Sequence, residues 1–465
     1  MKEEKKEYEV IIIGAGPAGI FTALELARKN NEVSVLLLDK GKDIEQRECP
    51  RRSKKASCFH CSPCSLLCGW GGAGAFSDGK LNLSSEIGGQ LDNYLDKDKV
   101  IELIKYVDEI YLEFGANKTV FGTNEEEIEN LKKEASRASL KLIPTKIRHL
   151  GTEKCAEILR RMHQYLKDKV TIKTNTEVKK LWIEEGKVKG IETAGGERIR
   201  GKFVVVSPGR AGAEWLRHQA ENLGIKIFNN PVDVGVRVEV PAIIMEHLTK
   251  VIYESKLIYY TQGFDDKVRT FCMCPYGEVV TEFNDGITSV NGHSYQEHRT
   301  DNTNFALLVS TNFTEPFKEP IAYGKYIAQL ANILSGGVII QRLGDLELGR
   351  RSTPDRLRHS IVVPTLKEAT PGDLSFVLPY RILSGILEMI KALDKIAPGV
   401  YSKHTLLYGV EVKFYSSRLE VGESLETKVD HLFVAGDGAG FTRGLIQASI
   451  SGVVVAQEIL KRREK

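Results

Sequence analysis

Residues 10–19 read V-I-I-I-G-A-G-P-A-G, and Asp39 stands twenty positions beyond the last glycine. An apolar strand, Val10 to Ile13, runs into a glycine turn, and a helix is expected from about Ile20. The glycines divide the work. Gly14 permits the tight turn, Gly16 lets backbone approach a pyrophosphate, and Gly19 lets helix and strand pack closely. Pro17 and Ala18 lie between them, where the pyrophosphate would meet N–H groups at the positive end of the helix. A second strand, Val33 to Leu38, ends at Asp39 and Lys40. A carboxylate at that point can accept hydrogen bonds from a ribose diol and would repel a 2′-phosphate. The motif by itself fits FAD and NAD alike.

Working outward, residues 49–90 are rich in glycine and cysteine and too irregular for a long helix. Helical spacing of apolar residues returns from Asp98 to Phe114, a second helix is expected over Glu125 to Ala138, and a third from Thr152 as N-cap to about Lys167. The period then changes. Val170 to Lys173, Val178 to Glu184, Lys187 to Thr193 and Lys202 to Val206 read as strands, with turn signals at Glu185-Gly186 and Gly195-Gly196. Asn229-Asn230-Pro231 marks a domain boundary. Beyond it the chain reads as strand-rich to about Arg381, then helical over Leu383 to Leu393. A short strand at His431 to Val434 leads into A-G-D-G-A-G-F-T-R-G-L-I-Q, and helical spacing covers Leu445 to Arg462.

The chain has 465 residues, 42% apolar and 27% charged, with a net charge of +3. Acids and bases are interspersed, which gives no footprint for nucleic acid or an anionic membrane. The first residues mix both signs and precede only a four-residue apolar run, unlike a secretory leader. The expected location is the cytoplasm.

Gly436-Asp437 after a strand, with Gly444 opening a helix, resembles the second FAD motif of the glutathione-reductase superfamily. The resemblance implies that Asp437 binds the ribityl chain and that Gly444, Leu445, Ile446 and Gln447 present N–H groups to the flavin. It also matches Val178 to a strand residue whose backbone contacts adenine, and Pro208-Gly209 to a third strand-end motif. The stretches G-W-G-G-A-G-A-F-S-D-G-K-L (69–81), V-S-P-G-R-A-G-A-E-W-L, F-C-M-C-P-Y-G and G-D-G-A-G-F-T-R-G-L narrow the likeness. Together they resemble the predicted FAD-dependent dehydrogenases, also called NAD(FAD)-utilising dehydrogenases. A second G-x-G-x-x-G and the C-x₄-C of disulfide reductases are missing, so a plain pyridine-nucleotide disulfide reductase is excluded. Residues Gly72, Gly74, Ala75, Phe76, Ser77, Asp78 and Lys80 are expected to wrap the flavin. Arg47, eight positions after Asp39, is expected near the pyrophosphate, with a merely solvated arginine as the alternative.

Five of the eight cysteines fall between Cys49 and Cys68. Cys58-x₂-Cys61-x₂-Cys64-x₃-Cys68 has the spacing of a bacterial ferredoxin run, although glycine rather than proline follows it. An iron–sulfur cluster with Cys49 as an alternative fourth ligand, zinc on four thiolates, a redox pair and unliganded thiols all stay open. Cys272 and Cys274 alternate on an expected strand with both side chains on one face, and His293 is a candidate proton donor. These three are the catalytic candidates. Arg350, Arg351, Arg356, Arg358 and His359 could hold an anion or form a solvated loop.

The expected fold is α/β. A Rossmann-like FAD/NAD(P)-binding domain of parallel sheet plus β-meander covers 1–90, 150–230 and 400–465. A helical insertion covers 91–149, and a mixed α+β substrate domain 231–399. The expected function is an FAD-dependent oxidoreductase that moves hydride through flavin N5 on a small organic substrate, with NAD(P)H as an optional reductant. The alternative is an electron-transfer flavoprotein that hands electrons through the cysteine loop to a protein partner.

Overall fold

The computed structural model describes residues 7–29, 32–50, 61–77, 79–284, 286–294, 299–313 and 319–464. The chain forms two compact units. The first comprises 1–119, 148–230 and 416–465, and the second 120–147 and 231–415.

The sheet of the first unit grows from the strand that opens the glycine turn. Glu7–Ile13 lies between Val35–Leu38 and Arg198–Val206, parallel to both. Thr171–Lys173 extends one side, and Leu432–Val434 pairs in parallel with the end of Arg198–Val206. These strands are apolar on both faces, as burial between helices requires; Val10 to Ile12, Leu36 to Leu38 and Val204 to Val206 are fully enclosed. The front half of Arg198–Val206 turns antiparallel to Lys187–Thr193, which pairs with Val178–Glu184. This is the expected combination of parallel sheet and β-meander.

Two helices pack face to face on this sheet. Pro17–Lys29 and Leu445–Arg463 touch where Thr22 Oγ1 donates to Gly452 O at 3.2 Å and Gln457 Nε2 donates to Glu25 at 3.0 Å. The contacts advance in the same direction along both helices, so the two N-termini lie at one end. Gly452 permits the crossing, since a Cβ there would stand 2.1 Å from Ala18 O.

The second unit is built on an eight-stranded sheet. Val232–Pro241 lies at its centre between Asn302–Thr311 and Leu406–Lys413, antiparallel to both. The alternation along this strand is strict. Val232, Val234, Val236, Val238 and Val240 enter a hydrophobic core, while Asp233, Arg237 and Glu239 occupy the other face and are buried too. The hairpin Glu278–Asn284 with Ile287–His293 covers part of that polar face: a Cβ on Gly292 would lie 2.2 Å from Arg237 Nη2.

The helical insertion expected over 91–149 is not one body. Lys97–Glu113 packs within the first unit, where Tyr106 OH donates to Glu25 at 2.6 Å, whereas Glu125–Arg137 belongs to the second. Residues 400–415 also belong to the second unit, because Leu406–Lys413 is an inner strand of its sheet. The third helix, Thr152–Leu166, is capped by Gly151 (φ 81°) rather than by Thr152.

Candidate cofactor site

The site lies in the first unit, at the end where the two helices begin. Gly14 has φ 101°, and a Cβ on it would stand 2.1 Å from Ser207 O. Ser207 Oγ closes the turn by donating to Ile13 O and Gly14 O at 3.0 and 3.1 Å. A Cβ on Gly19 would lie 1.9 Å from Gly14 O. Gly14 and Gly19 are therefore required by packing. Gly16 is different: the nearest atom to a Cβ there is Gly72 Cα at 4.0 Å.

The glycine segment expected to wrap a flavin lies across both helix starts. Gly71 N donates to Ala15 O at 2.7 Å, and Gly72–Phe76 forms a short 3₁₀ turn with Ala75 buried. A Cβ on Gly74 would meet Leu445 Cδ2 at 2.8 Å and Pro17 Cγ at 3.5 Å. Ser77 closes the turn by donating from Oγ to Gly74 O at 3.0 Å, and Lys80 begins the strand Lys80–Asn82. Asp78 lies outside the described residues.

The C-terminal helix begins at Leu445 with Gly444 as N-cap (φ 94°) and no capping side chain. Its first N–H groups lack intrahelical partners, and Ile446 and Gln447 belong to that turn. A Cβ on Gly444 or on Gly209 would meet nothing within 4 Å. Gly436 (φ 75°) is held where its N–H donates to Ser451 Oγ at 2.9 Å. Pro208 packs behind this loop, 3.1 Å from where a Cβ on Gly438 would stand. Val178, at the head of the meander, is buried and paired with Thr193.

Asp437 Oδ1 accepts from Thr442 Oγ1 at 2.9 Å, and Oδ2 faces Gly444 N at 3.4 Å. Burial pushes its carboxyl above the ordinary value, against Arg210, Thr442 and the Gly444 N–H, which favour the charged form. A carboxyl raised by folding weakens the folded state as pH climbs from the unfolded value, ~3.9, through the folded one. Asp437→Asn is therefore expected to gain thermal stability relative to wild type as pH rises above about 4. Thermal melts of flavin-free protein followed by circular dichroism measure this; identical pH responses would contradict it.

For Arg47 the solvated alternative is corrected, and the Asp39 carboxylate is already engaged with backbone. Oδ2 accepts from Ala15 N, and Oδ1 from Gly41 N and Gly69 N, all at 2.8 Å. It ties the glycine turn to the glycine segment and uses three acceptor directions on backbone. Neighbouring Lys40 reaches Ala211 O at 3.4 Å. Arg47 is not a solvated arginine. It is buried, stacks over Phe76 at 4.9 Å, and donates to Ser65 O at 3.0 Å and Trp70 O at 2.5 Å. Burial pulls its guanidinium down to about 10, with Asp39, Cys68 and Cys64 opposing. It braces the cysteine segment against the glycine segment.

Of the cysteine run, Cys61 is exposed, Cys64 half-buried and Cys68 buried; Cys58 lies outside the described residues. Cys68 N donates to Cys64 O at 2.9 Å, so the two share one helical turn. Burial pushes the Cys68 thiol up. Among the described residues, no three His, Cys, Asp or Glu side chains group to hold a metal, Cys49 included.

Cys272, Cys274 and His293 all fall in the second unit, around Arg237 and Gly277. The basic stretch is neutralised locally. Asp345, fully buried, accepts from Arg342 at 3.0 Å, Arg350 at 2.9 Å and Ser352 at 2.8 Å, and Arg358 pairs with Asp355 at 3.1 Å. The sequence reading missed residues 88–90. Gln90 N donates to Phe441 O at 2.8 Å, and Gln447 Nε2 to Ile87 O at 3.1 Å, bracing the Asp437 loop. Only the Gly88-Gly89 pair signals this in the sequence.

Residues 231–414 match the family described as FAD-dependent protein, C-terminal domain-like. A protein of Clostridium beijerinckii (strain ATCC 51743 / NCIMB 8052), itself uncharacterized, is 27% identical over 97% of this chain and 80% of its own length. Among solved structures, formate oxidase of Aspergillus oryzae RIB40 is similar over 100% of both chains (TM-score 0.45, 11% identity). L-proline dehydrogenase of P. horikoshii aligns over 98% of this chain and 94% of its own (0.40, 14%). Glycine oxidase of Bacillus cereus ATCC 14579 aligns over 98% and 95% (0.38, 13%). Among the described residues, no helix is long and apolar enough to cross a membrane.

Proposed function

We propose that this protein is an FAD-dependent oxidoreductase whose first unit holds the cofactor and whose substrate is a small organic molecule. One observation carries the reading: the starts of Pro17–Lys29 and Leu445–Arg463 meet at the single glycine segment around Gly74. The family match of residues 231–414 supports FAD over NAD.

The residues present fit such a group. Gly16, Gly209 and Gly444 offer backbone with no Cβ and no close neighbour, which a large planar cofactor and its pyrophosphate need. The N–H groups at the start of Pro17–Lys29 would hold the pyrophosphate. Those at the start of Leu445–Arg463 would face developing negative charge on the ring. Asp437, which accepts from Thr442, would accept from a ribityl hydroxyl as well. Bound FAD supplies the capacity to accept and donate hydride at N5, and the protein contributes binding, orientation and electrostatics.

Protein purified without oxygen is expected to be yellow and to release one FAD per chain on denaturation. Absorption, chromatography of the released nucleotide and metal analysis test this together. Folded, colourless protein that does not take up added FAD would overturn the reading. Iron in the absence of substrate-driven flavin reduction would favour electron transfer through the cysteine segment instead.

A further inference from the structure

In the second unit, Cys272 Sγ and Cys274 Sγ lie 4.0 Å apart. A local break in the strand brings them together. Between Phe271 and Cys274 this strand takes three steps while its partner takes two, from Ala306 to Asn304. The extra residue is absorbed at Cys272, which has φ 45°, a left-handed conformation rare for a non-glycine residue. Disulfide geometry requires closing the sulfurs by about 2 Å.

The surroundings suit thiol chemistry. Arg237, wholly buried, donates through Nη2 to Cys272 O at 2.5 Å and lies 3.5 Å from Cys274 Sγ. Lys413 shares this charge cluster, 3.1 Å from Glu411. Glu411 balances the two cations, Glu282 lies 3.5 Å from Lys413, and Glu254 accepts from Cys272 N at 3.1 Å. The cation in direct contact with sulfur is the guanidinium, which stabilises a thiolate. Cys272 is half-buried and can meet a small reagent, while Cys274 is enclosed behind it.

We propose that Cys272 and Cys274 form a reversible dithiol–disulfide pair, oxidised by hydrogen peroxide. Cys272 sulfur attacks the peroxide, an S–O bond forms, the O–O bond breaks, and one water leaves with the thiol proton. Cys274 sulfur then attacks Cys272 sulfur, the S–S bond forms, the S–O bond breaks, and a second water leaves. The two sulfurs together lose two electrons and the peroxide gains them. A dithiol reductant reverses the change by exchange. Arg237 acts as a positioning residue.

The sequence makes the test direct, because cleavage after Arg269 and Arg299 releases one peptide, Thr270 to Arg299, whose only cysteines are these two. Full-length protein is treated with hydrogen peroxide, blocked with N-ethylmaleimide in denaturant, digested with trypsin and weighed. The expected product is this peptide two hydrogens lighter and unalkylated, restored to the doubly alkylated form by dithiothreitol. Cys272→Ser is expected to abolish the lighter species and leave Cys274 open to alkylation. A wild-type peptide that stays doubly alkylated, gains only oxygen, or links to another cysteine would overturn the proposal. The readout requires no flavin, so its failure is distinguishable from failure of the FAD reading.

Discussion

Gly16→Ala is expected to fold like the wild type and to lose its hold on FAD, whereas Gly19→Ala is expected to be destabilised even without FAD. The two residues belong to one motif, but their surroundings differ. A methyl on Gly19 would stand 1.9 Å from Gly14 O and 2.9 Å from Ser207 Oγ. Both neighbours are fixed, because Ser207 Oγ is bonded to Ile13 O and Gly14 O. Relief requires moving strand or helix, and such overpacking costs about 1–3 kcal/mol or more. A methyl on Gly16 meets nothing nearer than 4.0 Å. The free protein accepts it, but the space it takes is where a pyrophosphate would approach the helix start. Losing one or two charge-assisted bonds of ~1.5–3 kcal/mol each weakens binding at least about tenfold, and about a hundredfold if two are lost. Thermal melts and FAD titration separate the variants. Wild-type affinity in a folded Gly16→Ala protein would show that the phosphates lie elsewhere.

That contrast shows how far the sequence can be read. Periodicity located the elements well: Lys97–Glu113, Glu125–Arg137, Val178–Glu184 and Tyr380–Asp394 all form close to where apolar spacing places them. The convergence of Gly14–Gly19 with Gly436–Gln447 follows from two strand–turn–helix patterns that share one sheet. Asp39 and Arg47 were legible as residue types at set distances, but not in their partners. Asp39 is satisfied by the amides of Gly41, two residues on, of Ala15, twenty-four residues before it, and of Gly69, thirty residues after it. No local pattern encodes that last contact. The fate of residues 91–149 was illegible for a similar reason. The helical spacing of Glu125–Arg137 records that one face is buried and is silent on which core buries it. The alternation of valine with Asp233, Arg237 and Glu239 looks like an exposed strand face, yet all three polar side chains are enclosed.

The enclosed face yields the second large effect. Arg237→Met is expected to destabilise the protein by about 3–5 kcal/mol, the range for removing one partner of a buried ion pair. Arg237 and Glu411 side chains are both 0% exposed, with Nη1 at 3.0 Å from Glu411 Oε2. Nε donates to Asn304 Oδ1 at 2.7 Å and Nη2 to Cys272 O at 2.5 Å, so three buried acceptors depend on one guanidinium. Burial alone would lower the guanidinium pKa; Glu411, aided by the two cysteines, more than offsets this and holds it above the ordinary arginine value. Methionine fills much of the volume but supplies no donor, and among the described residues Glu411 would keep Lys413, 3.1 Å away. The loss therefore comes chiefly from a stranded carboxylate. Adding Glu411→Met to Arg237→Met should then restore part of the stability, because the stranded charge goes too. Urea unfolding of both single variants and the double variant measures the coupling. If the double variant lost as much as the two singles summed, the pair would be energetically independent despite its geometry, and the buried polar face would owe its stability to the hairpin packed over Arg237 instead.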